Sequence, residues 1–378
     1  MHIVIATPLF PPELGVPAEY VFTLAQELKN SHKVTIVTYA NHVEEIEGVR
    51  IVSVSKSHAL PLRLFLYTRE LIRLSRNANA LYVQRAVASG LPAIIASWIT
   101  RMPVVVNYLE DEAWERIQHA SFEPEHQGTF RKHRNIPGAV WGIWNVQHFV
   151  LRHAKRVLVP STFIAQELVS KYGLHEKNVH VLFSAPKKQL HVPFTPKPVP
   201  HRIFMNTRLV PWSDVATAMR ASVLLAHTYP DVELFIAGDG PLRYELEQSE
   251  HMREARTHST FLGRVSKAEE QYYLKSSEVY LSTATYAENP DILFGAFREG
   301  IPVVATNVPG LREGFEHEKS GLAIPPANAT TCAEGIERIF SDPRLRKQLV
   351  TGAKEILRTK FSWETHTKHL LEFFQNKI

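Results

Sequence analysis

Cysteine is nearly absent: Cys332 is the single one in 378 residues. That excludes an internal disulfide framework and any zinc site built on cysteines, and it fits a reducing compartment. Long apolar runs are missing as well. Ile3-Val4-Ile5-Ala6 is too short to span a bilayer and lacks a basic flank, so neither a signal peptide nor a transmembrane helix is expected. No repeat of solenoid period occurs. Asn328-Ala329-Thr330 fits the glycosylation tripeptide but reads as chance in a chain without a secretion signal.

What is present is ordinary for a globular protein, with 44% hydrophobic and 21% charged residues. The length suits two domains. Charge is unevenly spread. Residues 1–190 hold 21 Lys and Arg against 15 Asp and Glu, a balance of +6, whereas the remainder holds 22 against 23. A basic first half suggests an acidic partner, such as a phosphate-bearing acceptor or an anionic membrane surface. No nucleic-acid motif accompanies it, so nucleic acid is not an expected partner.

Read in order, the chain alternates strand and helix. Met1 to Thr7 predicts a buried strand, 8–15 a loop with Gly15 at its end, 17–29 a helix and 34–38 a second strand. This is the opening of a doubly wound α/β sheet. Strands are expected at 50–54, 80–84, 103–106 and 155–161, the last closing the first domain. Between the first two of these, Arg63, Arg69, Arg73 and Arg76 lie on an amphipathic helix among leucines. It reads as a solvated basic face or as a membrane-facing one. Asp111 falls at the carboxyl end of a strand, where it either caps a helix or assists proton removal from a bound ligand. The polar stretch 118–138 carries His119, His126 and His133 at spacings that fit no metal-ligand pattern. Pro193, Pro196, Pro198 and Pro200 mark a semi-rigid linker.

The second half is organised around Val279–Gly310. The pattern predicts strand, loop, helix, strand and a tight loop over 306–310. Asn289 is the expected N-cap and Pro290 the first helical residue. Ile292, Leu293, Ala296 and Phe297 give the helix an apolar face, and Gly300 ends it. A helix N-terminus beside the carboxyl ends of parallel strands suits an anionic ligand.

Gly300-Ile-Pro-Val-Val-Ala-Thr-Asn-Val-Pro-Gly310, followed by 318–326, resembles the donor-site signature of the retaining glycosyltransferase family 4. Gly238-Asp-Gly-Pro-Leu242, Arg208 and the 111–116 segment are similar to that family too. The resemblance implies a GT-B fold, with two doubly wound Rossmann-like domains facing a cleft. It places an acceptor-side domain at 1–190, a linker at 191–201, a nucleotide-sugar domain at 202–360 and a returning helix at 361–378. It further implies transfer of a sugar from a nucleoside diphosphate to a glycan or lipid-linked acceptor. That transfer would proceed with retention, without a metal and with no cofactor beyond the nucleotide sugar itself, in the cytoplasm or at the inner face of the membrane.

The family's frame is intact while its charges are not. Ser213 stands where the family has a Lys, and Ala287 and Gly295 where it has its two Glu. Val16 replaces the second glycine of the first loop, beside Gly15. The residues left for the site are Asp111, Arg208 and Glu288 as catalytic candidates. Gly15, Ser213, Gly238, Gly240, Asn289, Ile292 and Glu299 join Arg208 and Glu288 around the donor. Glu288 and Glu299 are expected stand-ins for the lost carboxylates, with Asp291 competing for the N–H groups of the helix. Two outcomes follow: an enzyme with a remodelled donor site, or a degenerate relative acting as a binding or partner subunit.

Overall fold

The structure, a computed structural model, describes residues 1–13, 15–109, 111–115, 138–186 and 196–375. Glu110, Arg116, the three histidines at 119, 126 and 133, and Pro193 lie outside the described residues. The described residues up to 186 form one compact unit together with the last helix, and residues 196–362 form a second.

The first unit is a seven-stranded sheet. Its strands are β1 (His2–Thr7), β2 (Lys33–Tyr39), β3 (Arg50–Val54), β4 (Ala80–Gln84), β5 (Val104–Asn107), β6 (Arg156–Val159) and β7 (Val179–Val181). All pairs are parallel, in the order β3-β2-β1-β4-β5-β6-β7. The sequence reading stops at β6. The extra strand is only three residues long, so it carries no apolar run of its own. Its pairing of Val179 and Val181 with Val157 and Val159 identifies it.

Both sheet faces are covered, which is why the strands are apolar throughout rather than alternating. Side chains leave a strand on opposite faces at alternate positions. Val4, Leu81, Val83 and Val106 pack against the helices Leu60–Ser75, Leu91–Thr100, Gly138–His153 and Thr162–Tyr172. Ile3, Ile5, Tyr82 and Val105 pack against Val16–Leu28 and the C-terminal helix Trp363–Gln375. Leu370 and Phe374 of that last helix are buried there.

A buried polar chain fixes the same helix. His366 Nδ1 lies 2.7 Å from the Phe183 carbonyl, and its Nε2 lies 2.7 Å from the Tyr20 hydroxyl, which in turn meets Tyr82 at 2.9 Å. Trp363 Nε1 donates to Pro186 O. His366 is 4% exposed, so water cannot solvate an imidazolium there.

The second unit is a six-stranded parallel sheet: β8 (Arg202–Asn206), β9 (Glu233–Ala237), β10 (Ser259–Gly263), β11 (Val279–Ser282), β12 (Val303–Thr306) and β13 (Leu322–Ile324). The order is β10-β9-β8-β11-β12-β13. In an open parallel sheet the crevice forms where the winding direction reverses, at the carboxyl ends of the strands. That point lies between β1 and β4 in the first unit and between β8 and β11 in the second. Among the described residues no helix is long and apolar enough to cross a membrane.

Burial lowers the pKa of His366 from 6.5 to about 4. Folding therefore favours the neutral ring, and this stability is present above about pH 6.5 and lost as pH falls towards 4. Urea midpoints of the wild type should decline through that window, and His366→Gln should flatten the decline. An unchanged slope in the variant would remove His366 as its source.

Candidate functional site

In the second unit, the loops after β8 and β11 carry most of the expected donor residues. Arg208 is exposed at the carboxyl end of β8. Among the described residues its guanidinium has no hydrogen-bond or ion-pair partner. Ser213, by contrast, is 5% exposed. Its Oγ donates to the Arg208 carbonyl at 2.6 Å and accepts from Thr207 Oγ1 at 3.0 Å. Ser213, expected around the donor, thus has its hydroxyl turned into the Arg208 loop. A short hydroxyl cannot reach out as a lysine would, and it closes the loop that displays Arg208 instead.

That loop is sewn to the one across the switch point. Thr285 N donates to Trp212 O at 2.7 Å. Thr283 Oγ1 donates to the carbonyls of Ser213 and Asp214 at 3.1 and 2.9 Å. Three close approaches hold the frame. A Cβ on Gly238 would lie 1.8 Å from Thr207 O, one on Gly240 2.4 Å from Leu209 O, and one on Gly310 2.0 Å from Ala287 O. Only glycine permits such contacts. Gly238 and Gly240 therefore place the Arg208 loop by packing, and their role is backbone support. Behind Pro290 the space is equally tight, since a Cβ on Gly314 would lie 2.2 Å from Pro290 Cβ. The segment 287–290 is held from two sides, which opposes the one-residue shift that Glu288 would need to occupy the place of Ala287.

The helix start also differs from expectation. A 3₁₀ turn, Asp291–Leu293, precedes the α-helix Phe294–Glu299. Asn289 Oδ1 accepts from Asp291 N at 3.0 Å, so Asn289 closes a turn two residues on rather than capping the α-helix. The N–H it occupies is one that an anion would otherwise take. Ile292 remains exposed on this turn. The loop expected over 306–310 already contains the start of a helical turn, Pro309–Arg312.

Glu299, the expected substitute carboxylate, is buried among other partners. Its side chain is 5% exposed, 3.3 Å from Lys275 Nζ, and accepts from Gln271 Nε2 at 3.0 Å. It joins its helix to the Lys267–Lys275 helix. Gly295 faces the same neighbour, where an added Cβ would meet Leu274 Cδ2 at an ordinary 3.6 Å.

In the first unit, Gly15 precedes the first helix at φ 153°, the conformation that requires glycine there. Asp111 is 3% exposed. Its Oδ1 accepts from the backbone N–H groups of Ala113 and Trp114, both at 3.0 Å. Its Oδ2 accepts from the Tyr172 hydroxyl. Of the two roles open in the sequence, the structure shows the cap.

The titratable carboxyl at this switch point is its neighbour, which the sequence reading missed. Glu112 Oε1 accepts from Val87 N at 2.8 Å, in the tight π turn Ala86–Gly90. Burial raises its pKa to about 7, against the pull of the Val87 N–H and Arg85. Arg85 itself, at φ 66°, pairs with Glu115 at 2.6 Å. Spacing gives no sign of this cluster, because the fold alone brings residues 85–87 to 112–115. Among the described residues no group of three or more His, Cys, Asp or Glu is placed to hold a metal.

Two tandem parallel sheets with these switch-point loops define the GT-B class. A solved structure of the HepE protein of Anabaena in complex with UDP aligns over 99% of both chains, with a TM-score of 0.69 and 16% identity. That likeness shows the fold. The chain belongs to the GT-B glycosyltransferases: the family Glycosyl transferase 4-like domain matches residues 15–183, and Glycosyl transferases group 1 matches 186–356. A lipopolysaccharide core biosynthesis glycosyltransferase of Rhizobium meliloti is 28% identical over 171 residues, 45% of this chain and 48% of that protein. The match thus spans about half of that relative's length. The alpha-D-kanosaminyltransferase of Streptomyces kanamyceticus is 24% identical over 305 residues, 77% of this chain and 75% of the relative.

Two measurements check the site. Gly238→Ala forces a Cβ into Thr207 O and should destabilise the protein by about 1–3 kcal/mol, read as a lower urea midpoint. Glu112 works in the opposite sense to His366. Its raised pKa means that the protonated form is favoured, with stability present below about pH 4.5 and lost as pH rises through about 7. Glu112→Gln should therefore gain stability at pH 8 and change little at pH 4.

Proposed function

We propose that this chain transfers a sugar from a nucleoside diphosphate donor to a glycan or lipid-linked acceptor, in polysaccharide or glycolipid assembly. Transfer would retain the anomeric configuration and use no metal, at the inner face of an anionic membrane. The observation that carries the reading is Arg208. It is an exposed guanidinium without a partner among the described residues, held at the switch point by Ser213, Gly238 and Gly240. A departing diphosphate gains charge as the glycosidic bond breaks, and a fixed cation beside it stabilises that charge. Relatives named as glycosyltransferases, one of them in lipopolysaccharide core synthesis, support the reading. Glu288 is the remaining candidate for contact with the donor sugar, and Glu112 replaces Asp111 as the candidate beside the acceptor hydroxyl.

A second reading rests on a specific observation. Lys, Glu and Glu of the resembled motif are replaced by Ser213, Ala287 and Gly295, and Glu299 is tied to Lys275. A chain so depleted would bind partners or glycans in an assembly without transferring sugar.

Calorimetry with UDP and GDP tests the cation. Arg208→Ala should weaken binding at least tenfold, on the order of the 1.5 kcal/mol lower bound for a charged hydrogen bond. Unchanged affinity would remove Arg208 from the site. Paired variants separate the two readings. A transferase should lose turnover in Glu288→Ala and in the triple change Ser213→Lys, Ala287→Glu, Gly295→Glu. A degenerate relative should gain nucleotide-sugar binding in the triple variant and be indifferent to Glu288→Ala.

A further inference from the structure

Three helices of the first unit lie side by side on one face of its sheet: Leu60–Ser75, Leu91–Thr100 and Gly138–His153. Trp98 of the middle helix meets Phe149 of the third, ring centroids 5.9 Å apart. Their inner faces fill the core, and their outer faces are unusual in two ways. Large apolar side chains stand in solvent: Phe65 is 64% exposed, Trp98 60%, Ile99 58% and Trp141 61%. Charge on the same three segments is almost all positive. Residues 60–76, 91–101 and 138–153 hold six arginines and one acid, Glu70. That balance of +5 equals the net charge of the whole chain.

We propose that the outer face of this three-helix layer docks on an anionic lipid bilayer. This deepens the membrane contact included in the proposed function, and it stands whether or not sugar is transferred. The sequence points only to the first helix; the fold adds Trp98 and Ile99, Trp141, and the arginines at 101 and 152.

Helical spacing puts Leu62, Phe65, Arg69, Arg73 and Arg76 on one outward stripe. Its apolar end meets the acyl boundary and its basic end meets lipid phosphates, as expected of an interfacial helix. Tryptophan favours that depth, because its ring is apolar and its N–H wet. A second copy of the chain fits this face poorly. A two-fold contact would set six arginines against six arginines across an apolar seam.

Co-sedimentation of the full chain with vesicles tests the inference. Vesicles of phosphatidylcholine with about 30% phosphatidylglycerol should bind it, and pure phosphatidylcholine should bind at least about tenfold less. Binding to the anionic vesicles should fall with added salt. Arg69→Gln, Arg73→Gln and Arg76→Gln together should weaken it about tenfold or more. Phe65→Ser with Trp98→Ser should weaken it at equal charge. These side chains are largely solvent-exposed, so melting curves should fall only slightly, by the loss of the Trp98 ring contact with Phe149.

Equal binding to both vesicles, no binding to either, or indifference to all the variants overturns the proposal. So does sedimentation velocity that shows a dimer abolished by Phe65→Ser with Trp98→Ser, which would assign the face to a second copy. UDP calorimetry on the same preparation separates this from the donor site. UDP bound with normal affinity by a chain that ignores vesicles overturns the docking surface alone.

Discussion

Three backbone oxygens, of Thr207, Leu209 and Ala287, lie where only a hydrogen atom can face them. The second unit's site depends on that constraint. The loops after β8, β9, β11 and β12 converge at the carboxyl edge of the sheet, and they converge so closely that side chains at 238, 240 and 310 would push them apart. Once the glycines are in place, the carbonyls of Trp212, Ser213 and Asp214 come within reach of Thr283 and Thr285. Arg208 is then displayed on a loop with little freedom left.

The same constraint accounts for the glycines of this segment, which answer to packing. An intact frame of that kind is not by itself a sign of transfer. Glu299 shows how a nearby carboxylate is used instead. A side chain one turn beyond a vacant position is drawn to the nearest cation, Lys275, because a buried carboxylate without a partner is costly. It becomes a strut between two helices.

The first unit carries its chemistry differently. Its switch point holds a buried carboxyl, Glu112, against the turn at 86–90, and a capped Asp111 beside it. On the outside, the helices of one layer combine bare aromatic rings with arginines. The other sheet face is closed by the first and last helices, with His366 and Tyr20 sealed between them. One face of the sheet is thus finished and the other leaves apolar surface in contact with water.

Sequence alone determined the α/β alternation, the parallel sheets and most element positions, because apolar runs and their punctuation are local signals. The strands Arg50–Val54 and Ala80–Gln84 fall where the apolar runs put them. The strand β7, three residues long, was too short to leave such a signal. The rest is a matter of contact between residues distant in the chain. The second oxygen of Asp111 meets Tyr172, far along the chain. Whether Glu299 reaches the donor depends on Gln271 and Lys275. Glu112 is pushed up by burial, although the Val87 N–H pulls the other way. Hydrogen bonds and desolvation act over a few ångströms, and only the folded chain decides which side chains come that close.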